Sequence, residues 1–166
     1  MHFWPGLMLL LPLASPFAHA ELIDEVNDRG ELRIALSADL PPFSFKQGDR
    51  LTGFDVELGE LLAKELEVKP SLLVTDHDDL LSGVESGKYD VAITPVVMPR
   101  EVEDRFDFTE PYSDTASQPT VSLAIPLQKG NPAFQASLNN ALQRIKADGR
   151  LAALSQKWLE REALQP

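Results

Sequence analysis

Residues 31–66 read ELRIALSADLPPFSFKQGDRLTGFDVELGELLAKEL, and this stretch decides the fold class. Leu32 to Leu36 (LRIAL) is a short apolar-rich run and reads as a strand. Pro41 and Pro42 lack amide donors, so SADLPPF cannot prolong it. FSF followed by Gln47-Gly48-Asp49 predicts a brief hairpin running to Leu51. Asp55 is expected to cap a helix over residues 56–67, where Leu58, Leu61, Leu62 and Leu66 form one apolar stripe.

The same alternation extends to both sides. Upstream, ELIDEVNDR (21–29) predicts a short amphipathic helix stopped at Gly30. Downstream, PSLLVT (70–75) is a strand, and Asp76, Asp78 and Asp79 open a helix that ends near Gly87, with acids on the end the helix dipole favours. DVAIT (90–94) reads as a buried strand broken by Pro95 and Pro99, and TVSLAI (120–125) as a further strand. Asn131-Pro132 starts a helix with Phe134, Leu138, Ala141, Leu142 and Ile145 on its core face. Beyond Gly149, Leu151, Leu154, Trp158 and Leu159 mark a terminal helix whose Trp belongs to the apolar stripe. Strands alternating with helices imply an α/β fold of three layers, with a mostly parallel sheet of about five strands.

Composition narrows the function. The chain has 166 residues, 15 Lys+Arg against 26 Asp+Glu, and a net charge of −11, which argues against nucleic-acid binding because phosphate contact needs a basic face. With no Cys, disulfides, thiolate metal sites and Cys nucleophiles are excluded. His77 stands among Asp76, Asp78 and Asp79, but neighbours in a helix do not share a face, so an acidic helix start is expected there rather than a metal site. No G-x-S-x-G accompanies Ser37, Ser44, Ser71, Ser82 or Ser113, and no phosphate loop is present. No catalytic residue, metal or cofactor is assigned.

Residues 1–20, MHFWPGLMLLLPLASPFAHA, carry no Lys, Arg, Asp or Glu. The apolar run Leu7–Leu13 and Ala18-His19-Ala20 resemble a secretory signal with cleavage before Glu21. The expectation is a periplasmic product that does not span the membrane once processed.

Five motifs in order carry a family resemblance: ELRIALSADLPPFSF, LTGFDVELGELLAKEL, ESGKYDVAI, FDFTEPY and KGNPAFQASLNNALQRIKADGRLAALSQKWL. Together they resemble the periplasmic solute-binding protein family 3, which serves polar amino-acid ABC transporters. The resemblance implies the type II periplasmic-binding-protein fold, in which lobe 2 is inserted into lobe 1 and the ligand is clamped between them. Here Tyr112 is followed within a few residues by TVSLAIPLQKGNP, which resembles the returning segment of lobe 1. A second α/β lobe does not fit there, so residues 21–166 are expected to be a lone lobe 1 with its junction near 113–128.

The resemblance also implies a ligand rim. The family's acidic and aromatic positions in the first loop fall on Ser37 and Leu40, beside Phe43; a second aromatic position falls on His77. Hydroxyl or backbone positions after the GKYD strand fall on Pro95 and Val97, next to Thr94. The T-x-x-R that clamps a ligand carboxylate falls on Pro99 and Val102, with Arg100 two residues away. Val has no donor to replace a bidentate guanidinium. A lone lobe would also leave a ligand half exposed. The expected function is a non-catalytic binding lobe with altered or lost amino-acid binding, for a small polar ligand and an ABC permease. Its rivals are a regulatory module that meets a sensor or a second copy through the bared cleft face, and a relic lyase.

Overall fold

The structure is a computed structural model, and it describes residues 21–95, 103–112 and 123–160. The elements are α1 (Leu22–Arg29), β1 (Glu31–Leu36), β2 (Asp39–Leu40), β3 (Ser44–Gln47), β4 (Arg50–Thr52), α2 (Phe54–Glu65), β5 (Lys69–Val74), α3 (His77–Glu85), β6 (Val91–Ala92), β7 (Phe106–Phe108), β8 (Pro126–Gln128), α4 (Pro132–Ala147) and α5 (Arg150–Trp158). Five strands form one sheet in the order β5-β1-β6-β8-β7, and β2-β3-β4 form a separate antiparallel hairpin sheet. β1 pairs parallel with β5 and β6, while β8 runs antiparallel to β6 and β7.

Strand alternation sorts the residues into two cores. Leu32, Ile34 and Leu36 of β1, with Val91 and Ile93, face one side, where Leu58, Leu62, Phe134, Leu138, Ile145 and Leu154 meet them from α2, α4 and α5. Ala35 and Ala92 face the other side, under Leu80 and Val84 of α3. The small residues on that face admit one thin helix layer, so the three-layer α/β arrangement follows from side-chain size as well as period.

Three expectations need correction. Asp55 does not cap α2: Gly53 is the cap residue and Asp55 lies in the first turn, fully buried. Gly53 has φ of 128°, and a Cβ there would stand 2.2 Å from the Phe43 carbonyl oxygen. Only glycine lets the chain pass so close, and that sets the helix start two residues early. The strand expected over 120–125 appears at Pro126–Gln128, and residues 120–122 fall outside the described residues. Before it, the Thr109 hydroxyl accepts the Ile125 N–H at 2.9 Å, so a side chain replaces a ladder bond. The third concerns α4. Asn131 is its cap residue and Pro132 opens it, but the Asn131 side chain accepts the Leu22 N–H at 2.9 Å. Glu21 caps α4 instead, its carboxylate accepting the Ala133 N–H at 2.7 Å.

The junction expected near 113–128 lies outside the described residues over 113–122. Its two flanks are side by side: the Tyr112 N–H donates to the Leu123 carbonyl at 2.9 Å.

Candidate functional site

β5, β1 and β6 run parallel, so their carboxyl ends share one edge of the sheet, the edge where open α/β sheets bind ligands. Six candidate residues gather along it. Ser37 follows β1 and is buried; Leu40 lies on β2 and Phe43 in the turn before β3, both half-buried. His77 opens α3 after β5 and is exposed, like Asp76, Asp78 and Asp79. Thr94 is buried just past β6, and Pro95 is half-buried. Val97 and Arg100, with Pro99 and Val102, lie outside the described residues.

Hydrogen bonding decides which groups remain for a ligand. The Ser37 hydroxyl donates to the Asp39 carboxylate, and the Ser44 hydroxyl to the Ser37 carbonyl. These bonds tie the β2–β3 hairpin to the end of β1 and occupy Ser37. The Pro42 and Phe43 carbonyls accept the N–H groups of Phe54 and Asp55 at 3.0 and 2.8 Å, so the cleft turn caps α2. Thr94 Oγ1 is buried without a partner.

Two residues here lie outside the ligand rim expected from sequence. Asp55 is fully buried and neither carboxylate oxygen has a hydrogen-bond partner; burial pushes its pKa up to about 7. The Tyr112 hydroxyl is likewise buried and unpartnered, and burial, then the nearby Asp55, pushes it well above the usual phenol value. The GFD and PY motifs contain both, but a carboxylate just after a glycine looks like a cap in sequence.

At the amino ends of the strands, Asp90 of GKYD is buried between two arginines. It accepts from Arg29 at 2.6 Å and from the Arg33 side chain and N–H at 2.7 Å each. This motif is scaffold. A groove of about 540 Å³ runs over the outer face of α2 and α5, lined among others by Arg50, Leu61, Lys64, Arg150 and Lys157; no candidate cleft residue borders it. Among the described residues no helix is long and apolar enough to cross a membrane.

Residues 32–161 match the sequence model of the bacterial extracellular solute-binding proteins, family 3. The chain is 39% identical over 116 residues to the L-cystine-binding protein TcyJ of Escherichia coli (strain K12), covering 69% of this chain and 41% of that one. It is 34% identical over 89 residues to a probable histidine-binding protein of Campylobacter jejuni, covering 54% of this chain and 35% of the relative. The chain thus spans about two fifths or less of these relatives. Among solved structures, the arginine-bound form of domain 1 from TmArgBP superposes with a TM-score of 0.68 at 29% identity, covering 73% of this chain and 98% of that one. The ancestral amino acid-binding protein AncCDT-1, a precursor of cyclohexadienyl dehydratase, gives 0.75 at 23% identity, covering 84% and 99%, and shares the fold.

Proposed function

The chain belongs to the bacterial extracellular solute-binding proteins, family 3, and from that premise we propose that it is an exported, non-catalytic solute-binding lobe with an altered amino-acid site. The observation that carries the reading is the polar inventory of the cleft edge. Among the described residues there, Thr94 and Tyr112 keep the buried hydroxyls without a partner, and Pro95 beside Thr94 has no N–H to add. Val102 at the clamp position offers a carboxylate nothing. Losing a charge-assisted contact costs about 1.5–3 kcal/mol, or roughly tenfold to a hundredfold in affinity.

The arginine-bound form of domain 1 from TmArgBP supports the view that one lobe suffices to hold an amino acid. In this chain the residues at the rim, rather than the missing enclosure, then set the specificity. Residues 1–20 are a leader removed after Ala20, residues 21–166 are lobe 1 alone, and an ABC permease is the natural partner. Leu40, Phe43 and Pro95 are half-buried, and Val74 is the exposed large apolar residue among those described, which gives a docking-face reading little apolar surface. A relic lyase would need a cleft that excludes water.

Calorimetric titration with arginine, glutamine, glutamate and histidine is expected to show no saturable heat at submillimolar ligand. A one-site micromolar isotherm abolished by Arg100→Ala would return the protein to ordinary amino-acid capture. Mass spectrometry of the exported protein should find Glu21 first; a retained Met1 contradicts export with cleavage.

A further inference from the structure

Asp55 is a fully buried acid whose two carboxylate oxygens both lack a hydrogen-bond partner. A helix N-terminus ordinarily serves such a group through its free amides. Here the amides of Phe54 and Asp55 already serve the Pro42 and Phe43 carbonyls of the cleft turn. The Phe54 ring packs edge-on to Phe43 at 6.3 Å and stacks on Tyr112 at 6.3 Å. Tyr112 brings a second buried, unpartnered oxygen within electrostatic reach of the carboxyl. The cleft turn, the first turn of α2 and the Tyr112 flank of the junction thus converge on one acid.

No basic group among the described residues compensates it. Lys157 of α5 pairs with Glu57, and Arg144 of α4 and Arg150 of α5 pair with Glu65. Arg50 of β4 lines the outer groove. β1 presents Ile34 and Leu36 to this core, and the cleft turn presents Phe43. From the segment after β7, Tyr112 is the titratable neighbour.

We propose that Asp55 is a proton-binding site inside the lobe, and that release of its proton loosens the cleft turn at Pro42–Phe43 and the Tyr112 flank. This inference does not depend on which ligand the cleft takes. The sign follows from burial. The folded chain holds the proton up to about pH 7, whereas the unfolded chain releases it near 3.8. Stability from this group is complete below about pH 4, falls up to about tenfold in the folding constant per pH unit, and is gone above about pH 7.

Asp55→Asn keeps the shape of the protonated side chain and removes the titration. In urea unfolding between pH 4 and 8, wild type is expected to lose stability relative to the variant by roughly a thousandfold in the folding constant, levelling off above about pH 7. Carbon-detected NMR of wild type should place the Asp55 carboxyl midpoint near pH 7. The protection factors of the Phe54 and Asp55 amides should drop through the same window. A midpoint below 5, a pH-independent gap between wild type and variant, or unchanged amide protection each overturns the proposal. Should the variant not fold, the wild-type titration and amide protection decide it.

Discussion

Asp90 illustrates what one residue does at the end of the sheet away from the cleft. Its side chain is fully buried, while Arg29 and Arg33 keep 30% and 24% of theirs exposed. Removing the carboxylate frees two arginines that reach water, so the loss falls below the 3–5 kcal/mol of a wholly buried pair. Asp90→Ala is expected to cost about 2–3 kcal/mol in urea unfolding; a change under about 0.5 kcal/mol, ordinary for a surface site, would contradict the pairing. Sequence identified GKYD as a motif but not its role, because neither arginine is near it in the chain. The rim residues show the same limit. Ser37, His77 and Thr94 follow the parallel strands β1, β5 and β6 and so lie at one edge of the sheet, with Leu40, Phe43 and Pro95 next to them in the chain. That Ser37 spends its hydroxyl on Asp39 while Thr94 keeps its own free depends on hairpin geometry that no spacing encodes.

Among the elements, α2, α4 and α5 meet at Glu65. It accepts from Arg144 at 2.5 Å and Arg150 at 2.6 Å, and those hydrogen bonds hold its carboxyl below the usual value. A lowered pKa means the contribution is present above the unfolded value, near 4.5, and is lost as pH falls through the folded one. Glu65→Gln should therefore be less stable than wild type at pH 7 and match it in strong acid, with the gap shrinking in high salt; a gap that persists at low pH would rule this out. The helices themselves were legible, since Leu58, Leu62, Phe134, Leu138, Leu151 and Leu154 are all buried as their stripes required. The ends were not. α2 begins at a glycine squeezed against Phe43, and α4 is capped by Glu21, which precedes it by more than a hundred residues.

At the scale of the molecule, the order of elements and the two-sided packing followed from period and residue size, and the family from its motifs. The bond between Tyr112 and Leu123 has a further use. Ten residues of sequence separate two points joined by a backbone hydrogen bond of 2.9 Å. Such a pair is a splice port. A foreign domain whose own termini lie close together should enter there without disturbing the sheet, because closing a longer loop costs only about 0.6 kcal/mol per doubling of length. A chimera carrying lobe 2 of a relative between Tyr112 and Leu123 is expected to keep the host lobe's melting temperature within a few degrees. Collapse of that transition would mean that the short connector itself holds the edge of the sheet together.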